Sequence, residues 1–146
     1  AKGSGKSRLA STICNELVNF NVRSKFASAS TILSEVQSTW NDNSKSEEKV
    51  LQKYIEPKIL IIDDLGARGS KKWIDDRFQY LFEMRYSYNK ITICTSNYEI
   101  NSLPFDDNRI MDRLSDVERF HKIKMPNESL RVVNRNKNGE DPFYRK

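Results

Sequence analysis

Two short runs carry residues whose types and spacing could do chemistry on a phosphate. Gly3-Ser4-Gly5-Lys6-Ser7 supplies the second half of a G-x-x-x-x-G-K-[ST] loop. In such a loop backbone amides and a helix N-terminus cradle phosphate oxygens, the lysine reaches the outer phosphates and the hydroxyl binds Mg²⁺. The first glycine of that pattern, and the strand that feeds the loop, would fall just before Ala1. The second run, Ile59-Leu60-Ile61-Ile62-Asp63-Asp64, ends an apolar stretch on two carboxylates. Burying an acidic pair there is costly unless a cation or hydrogen-bond donors sit beside it. A Mg²⁺-nucleotide meets that need: Asp63 would hold the metal through water, and Asp64 would take the place of a base that orients an attacking water. The lesser alternative beside the upstream glycine loop is that the two carboxylates merely cap the loop at Leu65-Gly66. Taken together, the runs read as a matched Walker A and Walker B pair binding ATP.

Positioning these groups requires a loop that opens a helix and a strand that ends at a ligand crevice. After the glycine loop, Leu9, Ile13 and Leu17 form one helical stripe, so residues 6–20 read as an amphipathic helix. Residues 24–28 are long enough for a short strand. Ser30-Thr31 then reads as the cap of a second helix that runs through Trp40, with Ile32, Val36 and Trp40 at helical spacing. Residues 47–54 look helical until Pro57 stops them. Residues 59–62 have the length and branching of a strand buried on both faces, as in a parallel sheet. A helical pattern over 73–88 carries Trp73, Phe78, Leu81, Phe82 and Arg85, and 91–95 is a second buried strand. A brief helix over 109–114 and an alternating strand over 120–124, ended by Pro126, complete the pass. Strands that alternate with helices imply an α/β fold, a parallel sheet wrapped by helices.

The 146 residues fit one domain, with 37% hydrophobic and 31% charged residues and neither a low-complexity nor a collagen-like composition. No apolar run approaches the roughly 20 residues that span a bilayer, and the first residues do not form a signal sequence, which implies a cytoplasmic protein without a membrane partner. Cys14, Cys94 and His121 show no ligand spacing, so the cysteines read as small core residues rather than a disulfide or metal site. A formal charge of +5 suits a polyanionic partner without requiring one. The tail from Arg131 sets five basic residues against two acidic ones, and it could touch nucleic acid or simply be solvated.

With Gly3-Ser4-Gly5-Lys6-Ser7, Ile61-Ile62-Asp63-Asp64-Leu65-Gly66-Ala67, Thr95-Ser96-Asn97 and Arg109-Ile110-Met111-Asp112-Arg113-Leu114 in view, the chain resembles the AAA+ ATPases. Within them it resembles the bacterial replicative helicase loaders of the DnaC/DnaI type. The resemblance implies a three-layer P-loop NTPase domain over residues 1–146, with a central parallel sheet and no large helical lid. It places the start of the chain inside the P-loop and leaves the helicase-docking module of loaders outside the chain. It also implies nucleotide contacts from Gly3, Ser4, Gly5, Lys6, Ser7 and Arg8. Asn97, just past a buried strand whose carboxyl end would face the ligand crevice, looks like the sensor 1 residue; alone, Ser96-Asn97 would equally start a turn. Arg109 and Arg113 are four residues apart on the short helix. In the family this segment presents an arginine finger to a neighbouring subunit, so Arg113 takes that role, Arg109 supports it, and self-association through the ATP site follows. Arg131 matches a sensor 2 arginine, or else merely starts a loose tail.

Single-stranded DNA is the other ligand the family implies, met by an extra helical element near residues 30 to 54. Lys25, Lys45, Lys49, Lys53, Arg68, Lys71 and Lys72 offer charge, while Trp40, Tyr54 and Trp73 offer rings that helical spacing places rather in the core. The resemblance therefore implies an ATP- and Mg²⁺-dependent ATPase that helps place a replicative helicase on single-stranded DNA. The same segments fit a transposase-helper ATPase of the IstB type. A non-hydrolysing adaptor is disfavoured because Lys6, Ser7, Asp63, Asp64 and Asn97 all occur together.

Overall fold

A strand without a polar side chain until its last residue can be stable only with both faces covered. In the computed structural model, which describes residues 3–106, 109–110, 114 and 120–126, strand β2 (Ile59–Asp63) is that element. Leu60, Ile61 and Ile62 are fully buried, each contributing about 1.5–3 kcal/mol by leaving water. Two shorter strands flank it in parallel, β1 (Ser24–Ser28) and β3 (Ile91–Cys94), in the order β1-β2-β3. The register sets Ser28 opposite Asp63 and Ile62 opposite Cys94, so the three strands end together at one edge.

The period of two in β2 divides the helices between its faces. Ile59 and Ile61 pack with Ala10, Ile13, Cys14 and Leu17 of helix α1 (Lys6–Asn19). Leu60 and Ile62 join the larger core made by α2 (Ala29–Gln37), α3 (Glu47–Ile55) and α4 (Lys72–Ser87). The result is the three-layer α/β arrangement with a central parallel sheet, and no large helical lid occurs among the described residues. Among the described residues no helix is long and apolar enough to cross a membrane. Cys14 and Cys94 are free thiols, each partly buried against the core on its own face of the sheet.

Two expected elements differ. The α2 cap is Ser28, the last residue of β1, whose hydroxyl accepts from the Thr31 N–H at 3.0 Å, rather than Ser30-Thr31. The helix ends at Gln37, not Trp40, because the Ser38 and Thr39 hydroxyls donate back to the Glu35 and Val36 carbonyls and compete with the helical ladder. Trp40 therefore leaves the core stripe: it is 49% exposed and packs edge-on against Trp73, with ring centroids 5.0 Å apart. Residues 120–124 are not a strand. Their alternation finds no ladder neighbour among the described residues, and Lys122 and Lys124 instead share the Glu99 carboxylate at 2.9 and 3.6 Å.

The amino ends of the strands are tied together by one side chain. Arg85 of α4 is buried, and its guanidinium donates to the carbonyls of Tyr54, Ile55, Pro57 and Ile91 and to the Thr92 hydroxyl, at 2.5 to 3.0 Å. Burial holds its pKa down to about 10. Burial also pushes the Cys94 thiol up to about 12, with the Arg85 charge pulling weakly the other way. Replacing Arg85 with Met removes the shared donor of four carbonyls, and breaking a buried charged network by deleting one member typically costs about 3–5 kcal/mol, which the Arg85→Met protein should lose; urea denaturation should show a lower midpoint with unchanged slope. Because only the thiolate reacts, Cys94 should resist iodoacetamide at pH 8 in the folded protein and be alkylated once urea unfolds it, as peptide mapping would show.

Candidate phosphate and acidic site

Helix α1 begins on glycine. Gly3 and Gly5 both take left-handed backbone angles, with φ of 87° and 86°, and Gly5 is the N-cap of α1. Side chains strongly resist that conformation, which is why the loop needs glycine at these positions. Among the described residues no side chain caps this helix start and no acidic residue lies in its first turn. Its N–H groups and the positive end of the helix dipole are thus arranged as an anion-binding site. Ser4 is buried, and its hydroxyl accepts from the Lys6 ammonium at 3.2 Å, which draws the lysine back over the loop. Ser7 and Arg8 are exposed on the first turn.

The acidic pair sits where β2 leaves the sheet. Asp63 is the last residue of β2, and Asp64 follows in the left-handed region at φ 58°. Asp tolerates this conformation better than most residues, at a cost of about 1–2 kcal/mol, and local bonds hold it there. The Asp64 N–H donates to the Thr95 hydroxyl at 3.0 Å, and that hydroxyl donates to Asp63 Oδ1 at 2.5 Å. Asn97 Nδ2 donates to Asp64 Oδ1 at 2.9 Å. Next along the chain, Leu65 N–H donates to the Thr95 carbonyl and the Ser96 hydroxyl to the Leu65 carbonyl. Gly66, at φ 91°, lies so close to Pro104 and Tyr98 that a Cβ would stand 2.8 Å from the proline ring. The loops after β2 and β3 are in this way one bonded unit.

The structure thus brings Asp63, Asp64 and Asn97 together at the carboxyl edge of the sheet. Arg109 is helical and exposed, while Arg113 and Arg131 lie outside the described residues. Thr95 is the residue that reading for chemistry passed over. Its signal was a hydroxyl directly after β3, which is half-buried with Ile91 exposed rather than the buried strand expected, beside the strand that carries the acids. Five of the seven basic residues considered for DNA have side-chain contacts within the protein. Lys25 lies over the Tyr54 ring, Arg68 donates to Ser34 and Gln37, and Lys45, Lys53 and Lys72 pair with Asp42, Glu35 and Asp76. Tyr54 is buried in the core, as its spacing implies, whereas Trp40 is half-exposed.

The donor set fits Mg²⁺. Ser7 and Asp63 offer hard oxygen ligands, and among the described residues no group of three or more His, Cys, Asp or Glu could hold a metal by itself. Mg²⁺ binds this way, through one or two protein oxygens with phosphates and waters completing the shell.

Comparison with known proteins agrees with this architecture. The helicase loader DnaC of Escherichia coli K12 is 26% identical over 113 residues, 77% of this chain and 46% of DnaC, so the chain spans a little under half of that relative's length. The chromosomal replication initiator DnaA of Bifidobacterium animalis subsp. lactis is 27% identical over 99 residues, 67% of this chain and 17% of DnaA. Among solved structures, DnaI superposes with a TM-score of 0.68 at 26% identity, covering 87% of this chain and 67% of DnaI. DnaA bound to AMPPCP and single-stranded DNA superposes with a TM-score of 0.75 at 19% identity, covering 88% and 40%, a likeness of fold. The IstB-like ATP binding protein family matches residues 1–138. Joined to the glycine loop and three-layer parallel sheet, that match makes the chain a member of the IstB-like ATP-binding family, with the AAA+ P-loop fold that DnaC and DnaI relatives share.

Proposed function

We propose that this chain is the ATP-hydrolysing AAA+ domain of a cytoplasmic helicase loader, which helps place a hexameric replicative helicase on single-stranded DNA. The observation that carries the reading is the bonded set Asp63, Asp64, Thr95 and Asn97 at the carboxyl edge of the sheet, the edge at which open parallel sheets bind ligands. In this reading Gly3, Ser4, Gly5, Lys6 and Arg8 hold the ATP phosphates at the start of α1. Ser7 and Asp63 hold Mg²⁺, which when bound neutralises phosphate charge. Asp64 accepts the proton of an attacking water, and Asn97, already bonded to Asp64, fixes where that water sits. Arg113 reaches the nucleotide of a neighbouring subunit with Arg109 in support, and Arg131 contacts the nucleotide in its own subunit. Turnover is then complete only between subunits.

The DnaC and DnaI likenesses support the loader. In the proposal, the module that docks the helicase lies in the full-length protein outside residues 1–146. Single-stranded DNA would meet the α2–α3 element, where Ser30, Thr31, Ser34, Glu35 and Ser38 line a groove and Arg68 bonds to Ser34. The family match supports a second reading, a transposase-helper ATPase of the IstB type. The two separate on partners: full-length protein with ATP should recover a hexameric replicative helicase in a pull-down, and failure to do so would leave the transposase helper in possession.

Lys6→Ala should abolish binding of a fluorescent ATP analogue. Arg113→Ala should still bind it but hydrolyse ATP about 10³-fold or more slowly, the usual worth of such an arginine. Mixing the two defective full-length proteins should restore part of the turnover, since one supplies the finger and the other the intact phosphate loop. No recovery at any mixing ratio would refute the site shared between subunits.

A further inference from the structure

We propose that Thr95 is the positioning residue of the acidic pair, setting which oxygen of Asp63 meets the metal and how Asp64 is turned; the proposal rests on the reading of this site as a Mg²⁺-ATP site. Thr95 is the first residue past β3, and every polar group it has is spent on residues 62–65. Its N–H donates to the Ile62 carbonyl at 2.9 Å, and its carbonyl accepts from the Leu65 N–H at 2.8 Å. Its hydroxyl bridges the two acids between those anchors. The direction of the bridge is forced. The Asp64 N–H can only donate to the hydroxyl oxygen, so the one hydroxyl proton goes to Asp63 Oδ1. One acceptor site of Oδ1 is thereby taken, and Oδ2 is the Asp63 oxygen without a hydrogen bond among the described residues.

Threonine suits this task better than serine. Its branched Cβ restricts χ1, so a backbone pinned at both N–H and C=O delivers the hydroxyl to one place. The same bond to the Asp64 N–H holds that residue at φ 58°, the geometry from which its carboxylate meets Asn97. Mg²⁺ demands near-ideal octahedral geometry and tolerates a swivelling carboxylate poorly. Residues that orient a metal ligand typically matter by about 10–100-fold in metal affinity or activity.

The test uses the full-length protein and binding of a fluorescent ATP analogue, measured in excess Mg²⁺ and in EDTA. Thr95→Val keeps the shape and removes the hydroxyl. It should shrink the Mg²⁺-dependent gain in nucleotide affinity about 10-fold or more, while affinity in EDTA stays as in the parent protein. Thr95→Ser should restore most of the gain. In an Asp63→Asn background Thr95→Val should add nothing, because the group it orients is gone. A Thr95→Val protein with the parent's full Mg²⁺ response would overturn the proposal, as would an effect that persists undiminished beside Asp63→Asn. Thermal melting checks that each variant folds; if Thr95→Val does not, Thr95→Ala carries the same comparison. A parent protein that binds nucleotide equally well with and without Mg²⁺ would instead sink the underlying reading of the site, a distinguishable result.

Discussion

The buried guanidinium of Arg85 is the interaction on which the rest of the architecture depends. A charge in the core is tolerated only when its donors are satisfied, and Arg85 finds its acceptors in four backbone carbonyls and one hydroxyl. Those acceptors belong to the end of α3, the turn into β2 and the start of β3. One side chain of α4 therefore fixes where two neighbouring strands begin. Parallel strands that start in register also end in register, and Asp63 and Thr95 emerge side by side at the far edge.

The two edges of the sheet divide the labour. At the amino edge an arginine that no water reaches gives rigidity. At the carboxyl edge the polar groups are half-buried or, for Asn97, exposed, and each bonds to another: Thr95 to both acids, Asn97 to Asp64, Ser96 to Leu65. Gly66 lets the two loops close to contact distance with Tyr98 and Pro104. A network of this kind is satisfied within the protein on one side and open to a ligand on the other. That is the arrangement expected of a preorganised polar site.

Much of this was legible from residue order. The apolar run ending on Asp63-Asp64 read as a strand buried on both faces, and the glycine loop before a helical stripe read as a helix start, and both elements are present. Both are local patterns, set by side-chain type and period. Readings that needed a neighbour fared differently. The alternation over 120–124 resembles a strand, but alternation supplies a face and not a ladder partner. Trp40 lies at helical spacing from Val36, yet two hydroxyls just before it end the helix and turn the ring towards Trp73. Arg85 lay on an apolar stripe with nothing in its own neighbourhood to announce five acceptors drawn from three other segments.

The sequence by itself determined the order of helices and strands as far as β3, the glycine loop that opens α1, and the presence of two carboxylates and an asparagine at strand ends. These follow from composition and period over a few adjacent residues. Only the tertiary structure decided that a threonine thirty-two positions beyond Asp63 bonds to it, and that Asn97, beside a Ser96 hydroxyl that also accepts from the Tyr98 N–H, bonds to Asp64. The reason is physical. A hydrogen bond is specified by distance and direction between two groups, and for residues far apart in the chain both are set by the register of the parallel sheet, which no local pattern encodes.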